Sequence, residues 1–173
     1  MPLEILKYPH PVLARKAAPI PAVTPEIREL AAGMAEAMYA NQGVGLAAPQ
    51  VGASIRMVVI DLSGPDKREA LMTLVNPVIT AASGEQEDEE GCLSVRNYRT
   101  IVRRAANVTV EAQDLEGQPL VIEADELLAV CLQHEIDHLD GVLFIDRISR
   151  LKRAMYDKRV KRWTAETTDQ TNS

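Results

Sequence analysis

Two of the three histidines in this chain of 173 residues lie four positions apart, in the segment His134-Glu135-Ile136-Asp137-His138. Successive residues of an α-helix are rotated by about 100°, so side chains four positions apart share one face. Both imidazoles can therefore reach one metal ion, while Glu135 projects to the side, near the outer shell of that ion. This H-E-x-x-H pattern is typical of zinc-dependent hydrolases, in which the glutamate is the general base. An amphipathic helix can carry two histidines by chance, but the motif and its helical context together favour a metal site.

A catalytic metal site needs a third protein ligand and an open coordination position for water. The candidates are His10, in a proline-flanked turn, and Cys92, which follows a glycine and an acidic run in an expected loop. Cys92 is the better candidate, although free cysteines are usually small buried hydrophobes. Cys131 lies one helical turn before His134, where it would compete with His138 as a ligand. We therefore assign Cys131 to the wall of the same cavity.

Helices are predicted before and after the middle of the chain. The first, over 24–41, begins with a Thr-Pro pair suited to a helix N-terminus and ends at Asn-Gln-Gly, where Gly43 is expected to supply the left-handed turn. The helix with the H-E-x-x-H motif is predicted over 125–140. A basic helix is predicted from Ser149 to about Trp163.

The predicted strands lie between these helices, over residues 55–61, 71–75, 98–103, 107–113 and 119–123. Asn76-Pro77 is expected to close the second strand. This order predicts an α+β fold: mostly antiparallel β-sheets around a central helix that bears the H-E-x-x-H motif, with an N-terminal and a C-terminal helix. No repeat or linker divides the chain, so we expect a single metallohydrolase domain over 1–165 and a disordered tail over 166–173.

Composition argues against several other classes of protein. Hydrophobic residues make up 46% and charged residues 25% of the chain, as in folded globular domains. A net charge of −6 and an aromatic content of 3% argue against nucleic-acid binding. No segment approaches the roughly 20 apolar residues of a membrane span. With only two cysteines, far apart, the chain is expected to be cytoplasmic.

Three segments resemble, in the same order, the signature motifs of bacterial peptide deformylases: Gly43-Val-Gly-Leu-Ala-Ala-Pro-Gln50, Glu90-Gly-Cys-Leu-Ser94 and Gln133-His-Glu-Ile-Asp-His138. The resemblance extends over nearly the whole chain, and the joint presence of the motifs is far more specific than H-E-x-x-H alone. It implies a metal-dependent hydrolase that removes the N-formyl group from the N-terminal formylmethionine of newly synthesised proteins and releases formate. Its partners would be nascent N-formyl-methionyl peptides.

The resemblance also implies a role for each matching residue. The implied metal ligands are Cys92, His134 and His138, and the implied ion is Fe²⁺, which Ni²⁺, Co²⁺ or Zn²⁺ can replace. The implied catalytic groups are the Glu135 carboxylate as acid and base, with the Gln50 amide and the Leu93 backbone N–H as oxyanion donors. The implied substrate contacts are the backbone of Gly45 and a methionine pocket lined by Val44, Leu127, Val130 and Cys131.

Two positions depart from the family pattern: Arg96 and Arg103 stand where proline is common. Both are expected in strands near the peptide cleft, where they leave the chemistry intact. The basic helix from Lys152 to Arg162 resembles the C-terminal helix of the Gram-negative-type subgroup, which is thought to touch the ribosome. The alternative is a solvated helix without a partner.

Two other functions could use the same motif helix. A zincin-type metallopeptidase would need a third ligand after the motif, where the chain has no histidine and Asp140, Asp146 and Glu166 are weak candidates. A non-enzymatic metal-binding module would need Cys131 or His10 to complete a closed shell of four ligands.

Overall fold

The structure is a computed structural model that describes the backbone of residues 2–171 and the side chains of residues 2–167. Its helices are α1 (Pro25–Ala40), α2 (Gly64–Lys67), α3 (Glu126–Leu139) and α4 (Arg150–Thr171). Its strands are β1 (Gly45–Ala47), β2 (Met57–Ile60), β3 (Met72–Ser83), β4 (Gln86–Cys92), β5 (Val95–Arg104), β6 (Asn107–Gln113) and β7 (Pro119–Asp125). This arrangement confirms the predicted α+β class, with α3 as the central helix.

The strands form two antiparallel sheets. The larger has the order β1-β2-β3-β6-β7, and β4 pairs with β5 in a separate two-stranded sheet. β1 lies at the edge of the larger sheet, where β2 is its partner among the described strands. One side of the β1 backbone is therefore open to pairing with an extended chain.

The buried strand β2 shows how the larger sheet positions α3. Met57 and Val59 pack in a cluster with α1, whereas Val58 and Ile60 pack in a cluster with α3. Because successive side chains of a strand point to opposite faces, an all-apolar strand requires that both faces be covered. The sheet is thus enclosed by α1 on one face and by α3 on the other.

β3 is longer than the strand predicted over 71–75. It continues through Pro77 to Ser83, and its pairing with β6 shifts register between Val75 and Val78. Proline has no N–H to donate, and a bulge is a place where a strand tolerates that loss. The predicted end at Asn76-Pro77 is therefore wrong.

The acidic segment forms β4 rather than a loop. Pairing with β5 places Glu87 opposite Arg103, with 3.1 Å between the carboxylate and the guanidinium, and brings Glu89 to 3.4 Å from Arg99. Opposite charges across neighbouring strands offset the low strand propensity of acidic residues. Cys92 is consequently the last residue of a strand, and the loop predicted for it is wrong.

The first helix begins as predicted but ends differently. The Thr24 hydroxyl accepts a hydrogen bond from the Ile27 N–H at 3.3 Å and caps α1. The left-handed residue after α1 is Gln42, with φ of 61°, and not Gly43 as predicted. A Cβ at Gly43 would lie 2.7 Å from Cδ1 of Leu93, so a larger residue there would displace the Leu93 side chain.

The C-terminal helix α4 starts after Ser149, whose hydroxyl accepts a hydrogen bond from the Lys152 N–H at 3.2 Å. It continues to Thr171, past the predicted end near Trp163, because no glycine or proline interrupts it. It includes part of the segment 166–173 predicted as a disordered tail, and 172–173 lie outside the described residues.

Among the described helices, none combines the length and the apolar composition needed to cross a membrane.

Candidate metal centre

The helix α3 and the end of β4 bring three metal-binding side chains together. His134 and His138 lie on the same face of α3, both buried, and Cys92 approaches them from the strand. The ligand atoms of these three residues all lie within 4.8 Å of one another, and Cys92 Sγ is 3.4 Å from His138 Nε2. The three ligand atoms are therefore grouped closely enough to hold one metal ion.

The protonation states of these groups suit a cation. Burial lowers the pKa of His138 well below its usual value and so favours the neutral, ligating imidazole. Burial opposes charge on His134 as well, but hydrogen bonds with Cys92 and Glu90 outweigh it and raise the pKa of this ring. The site therefore stabilises positive charge at His134. Either a proton or a metal ion can provide that charge.

Glu90 determines which nitrogen of His134 faces the ion. Its Oε1 lies 2.9 Å from His134 Nδ1, which leaves Nε2 free for a metal. Oε2 of Glu135 is buried without a hydrogen-bond partner among the described residues, and Oε1 lies 3.9 Å from His134 Nε2. Two imidazoles, a thiolate and an unpaired carboxylate oxygen fit a divalent transition-metal ion with a water beside it.

The groups behind His134 are not predicted from the sequence. Arg104 donates to both carboxylate oxygens of Glu90, at 2.6 and 2.8 Å, and both side chains are buried. Burial alone would raise the pKa of Glu90, but the hydrogen bonds from His134 and Arg104 hold it below its usual value. The sequence feature that could have predicted this pair is the acidic run 84–90, which is followed by basic residues in the next strand.

The alternative third ligands lie elsewhere or remain protonated. His10 caps a short turn, where its Nδ1 accepts a hydrogen bond from the Val12 N–H at 3.2 Å. Cys131 lies outside the ligand group found in the described residues, and burial raises the pKa of its thiol to about 12. Asp140 is paired with Arg56 at 3.0 Å.

The two other acidic candidates, Asp146 and Glu166, also lie outside the group formed by Cys92, His134 and His138. The carboxylate of Asp146 accepts a hydrogen bond from the Leu143 N–H at 2.8 Å and pairs with Arg153. Glu166 is an exposed residue of α4. Neither lies in the ligand group found in the described residues.

A cavity of about 730 Å³ opens beside the three ligands. The predicted site residues on its wall are Val44, Gly45, Gln50, Cys92, Leu93, Leu127, Val130, Cys131, His134 and Glu135. His138, the remaining predicted residue, is buried beneath this wall. Val44 and Leu127 are partly exposed at the mouth, whereas Val130 is buried.

The side chain of Gln50 is fixed by a short turn over Ala48–Val51. Its Oε1 accepts a hydrogen bond from the Ala47 N–H at 2.9 Å, and its Nε2 donates to Ser94 Oγ at 3.0 Å. Nε2 is also 3.6 Å from Cys92 Sγ. The amide nitrogen of Gln50 therefore faces Ser94 and Cys92 and not solvent.

The turn that carries Leu93 connects β4 to β5 and is held by the N-terminal arm. Lys7 Nζ donates to the Leu93 carbonyl at 2.5 Å, and the Tyr8 N–H donates to the Ser94 carbonyl at 2.8 Å. These contacts hold the two peptide groups that directly follow the Leu93 N–H, which the resemblance assigns to the oxyanion.

The two departures from the family pattern lie off the described wall of the cavity. The Arg96 guanidinium lies over the ring of Trp163, 5.1 Å from its centroid, so it contacts α4. Arg103 pairs with Glu87 on the surface of the two-stranded sheet. Neither side chain shapes the cleft.

The comparisons with known proteins agree with this geometry. The family model described as polypeptide deformylase matches residues 2–154. A peptide deformylase of Acidobacterium capsulatum is 49% identical over 158 residues, which cover 91% of this chain and 93% of the relative. A crystal structure of a peptide deformylase from Legionella pneumophila has a TM-score of 0.89 at 43% identity. The match covers 97% of this chain and 98% of the Legionella chain.

A second solved structure is that of the Ehrlichia chaffeensis peptide deformylase in complex with actinonin, with a TM-score of 0.86 at 36% identity. The match covers 93% of this chain and 96% of the Ehrlichia chain. The resemblance predicted from the three motifs is thereby confirmed: this chain belongs to the polypeptide deformylase family, whose members hydrolyse the N-formyl amide of peptides.

Proposed function

We propose that this chain is a metal-dependent hydrolase that removes the formyl group from the N-terminal formylmethionine of newly synthesised proteins and releases formate. The observation that supports this most is the placement of Cys92, His134 and His138 within 4.8 Å of one another, beside Glu135 and an open cavity. The reaction adds water across the formamide: the C–N bond breaks, formate leaves, and the amine takes a proton.

The proposed metal ligands are Cys92, His134 and His138. When bound there, a divalent ion lowers the pKa of a coordinated water and polarises the formyl carbonyl. Glu135 takes the proton from the attacking water and passes it to the departing nitrogen. Burial raises the pKa of Glu135 to about 7, so its carboxylate can both accept and return a proton near neutral pH.

Two donors are proposed for the oxygen that gains negative charge. The side-chain amide of Gln50 and the backbone N–H of Leu93 lie on the cavity wall near Cys92. Fixed donors aimed at a developing oxyanion stabilise the transition state without reorganisation. The amide nitrogen of Gln50 carries two N–H groups, so one can donate to the oxyanion while the other keeps its hydrogen bond to Ser94.

The proposed substrate contacts follow from the edge strand and the cavity wall. The open edge of β1, at Gly45, pairs with the extended peptide, as in other cases of strand addition. The methionine side chain enters the pocket formed by Val44, Leu127, Val130 and Cys131, whose walls suit an unbranched thioether. A formyl group lacks the methyl group of an acetyl group, so selection for the formyl group can come from the volume available at the metal.

Fe²⁺ is the metal that we propose for the cell, with Ni²⁺, Co²⁺ and Zn²⁺ as substitutes in vitro. A site with one thiolate and two imidazoles accepts all four ions, and affinity alone favours Zn²⁺ over Fe²⁺. Metal analysis of protein purified without oxygen, with turnover measured for each ion, tests this assignment. Protein that contains zinc alone, with zinc as the fastest form, would contradict it.

We further propose that 1–165 form one catalytic domain and that the enzyme works in the cytoplasm, where nascent chains emerge. The exposed side chains of Lys152, Lys158, Lys161 and Arg162 give α4 a basic surface suited to polyanionic ribosomal RNA. Salt-sensitive co-sedimentation with ribosomes, lost when these four residues are changed to Glu, is the expected result. If binding depends neither on salt nor on these substitutions, α4 does not contact the ribosome and is a solvated helix.

Formate release tests the proposed activity. The metal-loaded protein is incubated with formyl-Met-Ala-Ser and, in parallel, with acetyl-Met-Ala-Ser. Rapid release of formate from the first and no release of acetate from the second is expected. Cleavage of an internal peptide bond in either substrate would favour the metallopeptidase alternative.

A further inference from the structure

A continuous chain of charged side chains connects His134 to the molecular surface. Glu90 Oε1 lies 2.9 Å from His134 Nδ1, and Arg104 binds both oxygens of Glu90. The remaining nitrogen of the same guanidinium donates to Asp137 Oδ2 at 2.9 Å. Arg147 ends the chain: its Nε and Nη2 donate to the two carboxylate oxygens of Asp137 at 2.5 and 2.7 Å.

The exposed fraction of the side chains increases from Glu90 and Arg104, in the interior, to Arg147 at the surface. The side chains of Glu90 and Arg104 are 4% and 3% exposed, that of Asp137 is 13% exposed, and that of Arg147 is 45% exposed. The four groups carry two positive and two negative charges. Buried charges are stable only when they are paired and hydrogen-bonded, so each member holds the next one in place.

Asp137 Oδ2 is shared between the two arginines, and this sharing couples the surface to the metal centre. While Arg147 holds both oxygens of Asp137, this carboxylate has one fixed position, and so does the nitrogen of Arg104 that binds it. Without Arg147, Asp137 keeps its contact with Arg104 but loses the two hydrogen bonds that fix its position, so the second anchor of Arg104 becomes less rigid. The bidentate contact with Glu90 then becomes less well defined.

We propose that Arg147 is a positioning residue for the metal centre, which acts through Asp137, Arg104 and Glu90 to orient the ring of His134. Carboxylates behind a ligating imidazole set its tautomer and its direction, and their loss typically weakens metal binding by about 10- to 100-fold. Arg147 lies farther out, so a smaller effect is expected from its loss. The inference rests on the proposed function in one respect, namely that His134 is a metal ligand.

Arg103 provides a matched control. It lines the same outer cavity of about 360 Å³ as Arg147, but it is 66% exposed and pairs with Glu87, outside the charged chain. Arg147→Met and Arg103→Met remove comparable side chains from one region of the surface. Arg147→Lys keeps the positive charge and loses the two-point contact with Asp137.

The experiment measures cobalt loss to excess EDTA, followed by the absorption of the cobalt–thiolate bond. Loss about three- to tenfold faster in Arg147→Met than in wild type is expected, with an intermediate rate for Arg147→Lys and less than a twofold change for Arg103→Met. The NMR resonance of the His134 Nδ1–H should shift in Arg147→Met and stay in place in Arg103→Met. If Arg147→Met does not fold, the rate of cobalt loss from Arg147→Lys is compared with that from Arg103→Met instead.

An Asp137→Asn background tests the route. Adding Arg147→Met to that background should cause little further acceleration of cobalt loss, because asparagine cannot form the two-point contact that Arg147 makes with a carboxylate. Equal cobalt loss in the Arg147 and Arg103 variants, an unmoved His134 resonance, or full additivity with Asp137→Asn would overturn the proposal. A wild-type protein that binds no cobalt would instead overturn the metal site itself, so the two failures are distinguishable.

Discussion

The carboxylate of Glu135 occupies the space that a side chain at Gly45 would fill. A Cβ built on Gly45 would lie 2.7 Å from Glu135 Oε1 and 3.1 Å from its Cδ. Real Cβ atoms essentially never approach as close as 2.7 Å, so a side chain at position 45 would require the Glu135 carboxylate to move. One glycine thus serves both the proposed substrate strand and the placement of the proposed general base.

Gly45→Ala should therefore impair catalysis without removing the metal. The added methyl group displaces the Glu135 carboxylate, and misplacement of a reacting group by about 1 Å can cost roughly 100-fold in rate. We expect kcat/KM for formyl-Met-Ala-Ser to fall by about that factor while metal content stays at one ion per chain. Gly33→Ala is the control, because its Cβ would meet only the movable side chain of Leu3, at 3.0 Å. Equal activity of the two variants would contradict this account of Gly45.

Gln50→Leu should reduce kcat by about 100- to 1,000-fold, the usual cost of losing one oxyanion donor. The shape of the side chain is nearly kept, but the Nε2 donor is lost. Ser94→Ala removes the present partner of that nitrogen and leaves the donor in place, so a reduction of less than about tenfold is expected. Steady-state formate release measures both variants. A larger loss in Ser94→Ala than in Gln50→Leu would assign the donor role to the serine.

Cys92→Ser should remove the cobalt–thiolate charge-transfer band, whereas Cys131→Ser should leave it. Cys92 Sγ is close to the ring nitrogen of His138, whereas burial raises the pKa of Cys131 to about 12 and keeps it a thiol. Absorption spectra of the cobalt forms distinguish the two variants. If the band remains in Cys92→Ser and disappears in Cys131→Ser, then Cys131 is the metal ligand and Cys92 is not.

Asp61 gives a pH dependence of stability that is independent of the metal centre. It is fully buried and accepts hydrogen bonds from the Tyr39 hydroxyl at 2.6 Å and the Ser63 hydroxyl at 2.6 Å. Burial would raise its pKa, but these hydrogen bonds outweigh burial and lower it. An acid with a lowered pKa in the folded state stabilises the protein above its unfolded pKa, about 3.9, and loses that effect as the pH falls further.

The free energy of unfolding should thus differ most between wild type and Asp61→Asn at pH 5 to 7. The difference should shrink as the pH falls below about 4, because the carboxylate of the unfolded state then takes up a proton that the folded state still excludes. Urea denaturation at several pH values measures it. A difference that stays constant down to pH 3 would show that the charge of Asp61 does not contribute.

The motif helix was the most predictable part of the molecule. Its period, its ends and its paired histidines all follow from local sequence, and α3 lies within one residue of the predicted bounds at each end. Cys92 was harder to place, because its strand forms only when the acidic residues of β4 find the basic residues of β5. Arg104 and Asp137 were not predicted as a network, since their pairing depends on how α3 packs against that sheet.

The central claim is that Glu135 transfers the proton during hydrolysis at a metal held by Cys92, His134 and His138. The most direct test compares wild type and Glu135→Gln, both loaded to one metal ion per chain, in formate release from formyl-Met-Ala-Ser. Glutamine keeps the shape of the side chain but cannot accept the proton, so we predict equal metal content and a loss of kcat of about 100- to 10,000-fold. Unchanged kcat at full metal occupancy would contradict the account.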